Sequence, residues 1–322
     1  SVSSLVPEVD EVITYDAPWM KATAPRADPS PDVAIVRELS RREFDAAVIF
    51  TVYSQSAFPA ALLCHLAGIP VRLAHAREKP YGLLTDWLPE IEPQRIVRHE
   101  VQRQLDLVSS VGCTVADTRL SVRVPATAGA AVREKLRAEG FEPQGPWAVV
   151  HPGATAPSRR YPPESFRAAS HRLADLGWGL AFTGGAAEME VVESARAGVP
   201  SVSFAGRLGL GELAALLEMA PVLIANNSGP VHLAGAVGTP VVDLYALTNP
   251  QHTPWGVPHR VLSHDVPCRW CYASVCPMGH HDCLERVLPD DVVAAARALV
   301  EAPTAASVIE GGPHPVARAG DL

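Results

Sequence analysis

Three short stretches of this sequence set glycine and small polar groups directly after apolar runs, and each could hold a phosphorylated ligand. His151-Pro152-Gly153-Ala154 follows one run, Thr183-Gly184-Gly185 a second and Asn226-Asn227-Ser228-Gly229-Pro230 a third. Glycine there lets the backbone turn sharply or approach a ligand closely. In the third stretch Pro230 suits the first position of a helix, where an N–H would lack a partner anyway, and Ser228 or Gly229 would cap it. The free N–H groups of such a turn, at the positive end of the helix dipole, make a site for phosphate. His232 falls in the same turn, where the alternative to ligand contact is capping or packing. Arg159 and Arg160, in ATAPSRRYPP beyond the first glycine turn, offer guanidinium forks that match diphosphate oxygens; the alternative is a pair of solvated loop arginines.

A second constellation is Cys268, Cys271, Cys276 and Cys283, spaced C-x2-C-x4-C-x6-C with His280 and His281 inside it. The spacing suits a structural zinc or cluster site. The alternative is a reduced, packed thiol loop without metal. Cys64 and Cys113 read as core thiols.

The elements that must position these groups alternate short apolar runs with Ala- and Leu-rich amphipathic segments, the pattern of parallel α/β architecture. In the first half, strands are expected at Glu11–Tyr15, Asp45–Tyr53 and Pro70–Ala74, and helices at Asp32–Arg41, Ala57–Ala67 and Ile96–Ser110. A turn-rich stretch, Gly112–Pro146, holds a helix at Ala130–Glu139 and marks a domain boundary. Second-half strands are expected at Trp147–His151, Gly179–Thr183, Ser201–Phe204, Val222–Ala225, Pro240–Tyr245 and His259–Ser263. The helices expected there are Pro163–Leu176, Ala187–Ala197, Leu210–Met219, Pro230–Val237 and Asp290–Val300. The domains are therefore placed at 1–140 and 141–302, with a disordered Pro/Gly/Ala-rich tail at 303–322. In doubly wound sheets ligands bind beyond the carboxyl ends of the strands, which puts all three glycine turns on one crevice.

The 322 residues suffice for two domains, 48% of them are hydrophobic, and the net charge is -8 with a pI near 5.8. That balance argues against a nucleic-acid partner, which needs a basic face. No apolar run reaches the length of a membrane span, and a cytoplasmic location is expected. Six cysteines in such a chain are no disulfide scaffold.

In combination, HPGATAPSRRYPPESF, FTGGAAE, AGRLGLGELAALL and NNSGPVHLAGAVGTPVVDLYALTNPQHTPWG resemble the heptosyltransferases of glycosyltransferase family nine. The Cys-rich CRWCYASVCPMGHHDCLERV looks most like the heptosyltransferase II branch, and FDAAVIFT, HLAGIPVRLAHARE and HEVQRQLDLVSSVG extend the likeness over Pro7 to about Val300. The resemblance implies a GT-B fold, two Rossmann-like domains facing across a cleft, with the first domain on the acceptor side and the second binding the donor. It implies inverting transfer of a sugar from a nucleotide sugar, usually ADP-heptose, onto a lipopolysaccharide-core-type glycolipid. No cofactor is required, the resemblance favours the thiol loop without metal at Cys268–Cys283, and peripheral contact with the inner membrane would follow from a lipid-linked acceptor.

Carried over by position, Arg159 stands where the family has a diphosphate-binding Lys, and Glu188 near a position contacting the nucleotide ribose, with Glu190 as its alternative. Thr183 and Gly184 would line the base pocket. Asn227-Ser228-Gly229 matches the family's Asp-Thr-Gly turn at donor sugar and phosphate, and His232 matches the His of the same helix turn. Asn227 thus replaces an Asp, which leaves the preferred sugar open. The family's presumed general base is an Asp in a Gly-Asp loop after a first strand. No such loop occurs after Ser1, so the first domain is expected to be truncated, with the base upstream, and the chain to be poorly active. Asp16, His75, Asp86 and His99 are the weaker candidates for a base within it. The alternative function is a non-catalytic nucleotide-sugar binder. Arg72, Arg77 and Lys79, in or beside REKPYGLLTDW, could meet an acidic glycolipid.

Overall fold

A computed structural model describes residues 2–20 and 23–301. The tail expected at 303–322 lies outside them. The described chain divides into two compact units, Glu11–Ala116 and Asp117–Glu301, the second also taking the segment up to Asp10. The division falls at 116/117, whereas the sequence placed it at 140/141. Helix α4, introduced below, packs on the second unit, which accounts for the difference.

The first unit holds α1 (Ser30–Arg41), β1 (Ala46–Ile49), α2 (Phe58–Leu66), β2 (Val71–Ala76), β3 (Asp86–Pro89) and α3 (Glu100–Ser109). Its sheet is parallel, in the order β1-β2-β3. Only the central strand is buried along most of its length. The core is small and alanine-rich, formed by Ile49, Ala57, Ala61, Ala74, Ala76 and Leu84. Val48 on edge strand β1 and Phe50 just beyond it are exposed. The strand expected at Glu11–Tyr15 is absent: the segment has no ladder partner, and Tyr15 joins Asp32 and Arg26 through side chains instead. Strand β3 takes the place of a stretch that the sequence left as loop.

The second unit runs α4 (Ala126–Ala138), β4 (Trp147–His151), α5 (Pro163–Asp175), β5 (Gly179–Phe182), α6 (Met189–Arg196), β6 (Val202–Ser203), α7 (Leu210–Met219), β7 (Leu223–Asn226), α8 (Gly229–Val237), β8 (Val241–Leu244), β9 (His259–Leu262), α9 (Asp282–Glu285) and α10 (Pro289–Glu301). All neighbouring strands are parallel, in the order β6-β5-β4-β7-β8-β9. The chain winds outward from β4 in one direction and, from β7 on, in the other, so the topological switch point lies between β4 and β7.

Parallel strands are covered on both faces and read as unbroken apolar runs, which is why these were visible in the sequence. One face is covered by a core that includes Phe166, Leu173, Val192 and Leu299 from α5, α6 and α10. The other carries Val132, Leu216, Leu217 and Val231 from α4, α7 and α8.

Candidate functional site

The sheet register assembles the site. His151 pairs with Ala225, and Ala225 with Asp243. Val150 pairs with Phe182, so Thr183, one residue on, falls beside His151. Residues directly opposite share a face. Thr183, His151, Ala225 and Asp243 therefore form one row across the carboxyl end of the sheet, on the face that α8 covers. His151 Nδ1 lies 3.0 Å from Thr183 Oγ1, and both residues are buried.

Beyond β4 and β5 the glycine turns border a pocket. The expected helix at Ala187–Ala197 is divided into a 3-10 turn, Ala186–Glu188, followed by α6. At the break Glu188 reaches back, and its Oε2 accepts the Gly185 N–H at 2.7 Å. His151 Nε2 stands 3.6 Å from the same oxygen. The His151 side chain, the Gly185 N–H and the charge of Arg160 hold this carboxyl down to about 2 against burial, so Glu188 is ionised at neutral pH.

Gly153 leaves room for the Glu188 carboxylate, since a Cβ there would lie 2.3 Å from it and the carboxylate would have to move. A Cβ at Gly184 would come within 2.7 Å of Val192, so that glycine serves the close packing of α6. Gly153, Ala154, Arg160, Glu188 and Glu190 line a cavity of ≈ 280 Å³. A larger hollow of ≈ 510 Å³ lies between β9 and α10, away from the glycine turns.

Around β7 and β8, Ser228 is the extended N-cap residue of α8, but its hydroxyl donates back to Asn226 O at 3.0 Å and caps nothing. The first turn of α8 is thus left without a side-chain cap, and Gly229 faces open space. Asn226 is structural: its Nδ2 donates to Pro152 O at 2.7 Å, and its Oδ1 accepts the Tyr161 N–H at 2.8 Å, tying the first glycine turn to the third. Asn227 Nδ2 donates to His252 O at 2.7 Å and to Asp243 Oδ2 at 3.2 Å. The rings of His232 and His252 meet edge to face, with centroids 6.4 Å apart.

Arg159 ends a short 3-10 turn whose Ser158 is clamped at both its N–H and its hydroxyl to the carbonyls of Ser274 and Ala273. Its guanidinium has no salt-bridge partner among the described residues, and its charge acts on Asp243 and Tyr245. Burial dominates Asp243 and pushes its carboxyl up to about 8.

The structure thus gathers Asn227, Ser228, Gly229 and His232 at one turn and Gly153, Thr183, Gly184 and Glu188 around another. Sequence reasoning did not single out His151, Asp243 or His252 individually. Each stood inside a quoted motif, but only the strand register shows what it touches.

Other expectations meet different surroundings. Arg72 is buried, and its guanidinium is spent on the carbonyls of Ile69, Pro70, Gly82 and Leu83, so it offers nothing to an acceptor. Arg77 is held by Tyr53 O and Gln94. His99 caps α3, its Nδ1 accepting the Val101 N–H, and burial pushes His75 down. Cys113 is exposed and Cys64 half-buried, so Cys113 is no core thiol. The four clustered cysteines are free thiols, with Cys268 Sγ 3.7 Å from His280 Nε2. Among the described residues no group of three or more His, Cys, Asp or Glu could hold a metal ion.

Comparison with known proteins adds a family. The profile of "Glycosyltransferase family 9 (heptosyltransferase)" matches residues 33–281. Lipopolysaccharide heptosyltransferase 1 of Pseudomonas aeruginosa is 27% identical over 181 residues, 56% of this chain and 49% of that one, so the chain spans about half the length of that curated relative. A glycosyl transferase family 9 structure from Veillonella parvula superposes with a TM-score of 0.75 at 21% identity, over 93% of this chain and 85% of that chain. Escherichia coli ADP-heptose lps heptosyltransferase II gives 0.65 at 22%, over 85% and 82%. At those identities the superpositions speak for the fold alone.

Proposed function

We propose that this chain, which belongs to glycosyltransferase family 9 (heptosyltransferase), transfers a sugar from a nucleotide-sugar donor to a glycolipid acceptor. The donor is ADP-heptose, the acceptor is of the lipopolysaccharide-core type, and the transfer inverts the anomeric centre. The observation that carries this is the uncapped first turn of α8 beside the switch point, with Asn227 and His232 at its rim.

In this proposal the donor diphosphate lies at the N–H groups of that turn, and Arg159 meets its oxygens. Charge developing on the leaving diphosphate is stabilised by groups already oriented before reaction, at no reorganisation cost. Asn227-Ser228-Gly229 and His232 face the sugar and the adjoining phosphate. The ionised Glu188, with Oε2 given to Gly185, offers Oε1 to the ribose hydroxyls, and Gly153 lets that carboxylate sit against the backbone. Thr183 and Gly184 adjoin the base.

We assign no general base among the described residues: His75 and His99 are built into the first unit. The acceptor brings the chain to the inner-membrane surface. Among the described residues no helix is long and apolar enough to cross a membrane.

The test is calorimetric titration of ADP, GDP and UDP into the whole chain, followed by incubation with ADP-heptose and a heptose-deficient core glycolipid. Selective ADP binding and an inverted linkage in the product, read by NMR, are expected. Preference for UDP or GDP would discard ADP-heptose, and binding of none of the three would remove the donor site.

A further inference from the structure

Asp243 has no task in that proposal, yet its position is costly. Strand β8 is central, and its other three residues are Val241, Val242 and Leu244, all fully buried. A carboxylate held there as an ion would forgo most of its hydration, a penalty of several kcal/mol. Asp243 nevertheless stands at 0% exposure. Its Oδ1 is sealed from solvent with no hydrogen-bond partner, and its Oδ2 has one, the Asn227 amide at 3.2 Å. A buried polar group kept at such cost and half satisfied calls for an explanation beyond packing.

The explanation lies in what the pair does to Asn227. Both hydrogens of its Nδ2 are committed, one to Asp243 Oδ2 and one to His252 O. Turning the amide over would set its oxygen against the His252 carbonyl, whereas in the observed orientation the neutral Asp243 acid offers an acceptor oxygen to the second amide hydrogen. The group left for a ligand is Oδ1. Asn227 is 4% exposed, and among the described residues no group donates to this oxygen, beside Ser228 at the mouth of α8. An oxygen fixed in that place accepts and never donates, and a sugar presents hydroxyl donors. Without Asp243 only the His252 carbonyl would orient the amide, and its two ends could exchange.

Asn227 also stands where the resembled family has Asp. A carboxyl at both 227 and 243 would bring two acid groups to hydrogen-bonding distance and force one of them to stay protonated, whereas acid and amide meet without that coupling.

We propose that Asp243 is a positioning residue that locks the Asn227 amide with Oδ1 towards the ligand, as the acceptor for a hydroxyl of the donor's sugar. This rests on the donor site proposed above. It predicts a group that reads the sugar and leaves the nucleotide alone.

The experiment titrates ADP and ADP-heptose into the full chain as wild type, Asp243→Asn and Asp243→Val. Wild type is expected to bind ADP-heptose more tightly than ADP. Asp243→Val, which matches the neighbouring β8 residues, should lose about tenfold of that difference, the scale of one hydrogen bond, with ADP affinity unchanged. Asp243→Asn still offers a carbonyl to the Asn227 amide and should retain the difference. Asn227→Ala removes Oδ1 itself and should lose the same amount, which keeps the test open if the valine variant does not fold. Equal weakening of ADP and ADP-heptose by Asp243→Val, or no change in either, overturns the proposal while leaving the donor site standing. A wild type that binds neither compound overturns the donor site and this proposal together.

Discussion

Two polar clusters in this molecule were built to different rules. In the first unit Arg103 is fully buried, and its guanidinium meets Glu90, Glu100 and the Thr51 carbonyl. Beside it Arg98 pairs with the buried Glu92 at 2.6 Å, and Arg72 spends itself on four carbonyls. The charges there are matched inside the protein. In the second unit the guanidinium of Arg159 has no salt-bridge partner among the described residues, Ser228 leaves the α8 turn uncapped, and Asp243 Oδ1 has no hydrogen bond. A matched cluster holds a fold together and is inert to ligands. An unmatched one has binding capacity in reserve. Under the proposed donor site the difference separates structural charge from functional charge without reference to residue type, since arginines and carboxylates occur in both.

The comparison can be broken most severely at Arg103. Arg103→Ala strands Glu90 in the interior and should cost about 3–5 kcal/mol of stability in chemical denaturation, with ADP affinity of the folded fraction unchanged. A loss under 1 kcal/mol would mean that the matched cluster is not structural. Arg159→Ala should do the reverse. ADP affinity falls by about 1.5–3 kcal/mol, the scale of a charge-assisted hydrogen bond, and the melting temperature stays put. Unchanged ADP affinity would remove Arg159 from the site.

Smaller effects sharpen the picture through pH. The folded Glu188 carboxyl lies near 2, below its ordinary 4.5, so its stabilising contribution is complete above pH 4.5 and fades as pH falls towards 2. Wild type should therefore melt above Glu188→Gln at pH 6, and the gap should close on acidification. Asp243 has the opposite sign. Its folded value near 8 lies above its ordinary 3.8, so stability is complete below pH 3.8 and is lost as pH rises through 8. Relative to Asp243→Asn, wild type should lose stability across that interval. Parallel melting curves for either pair would show that the group's surroundings do not perturb it.

Legibility of the sequence followed the same division. The second unit's inner strands were evident because β4, β5, β7 and β8 are buried along nearly their whole length and mostly apolar. The first unit misled because its sheet is thinly covered. Asp86–Pro89 pairs with β2 in spite of its polar start and closing proline, whereas Glu11–Tyr15 is rich in β-branched residues like a strand and has no ladder partner. At the site, the glycine turns and the α8 cap could be read locally. The Asn227–Asp243 contact could not, since it joins residues sixteen apart through the parallel register of β7 and β8. Arg72 was misjudged for a related reason: a guanidinium in a loop-flanked strand looks solvated until the carbonyls around it are counted.

The carboxylate seated against Gly153 has a further consequence, for the history the site can have. The volume a methyl group would need at position 153 is already occupied by the end of the Glu188 side chain. An alanine arriving there first must evict a carboxylate that also caps the Gly185 turn and faces His151. If position 188 shortens first, that obstacle is gone. The two orders of change therefore differ in cost: glycine first displaces the carboxylate from its Gly185 contact, glutamate first does not.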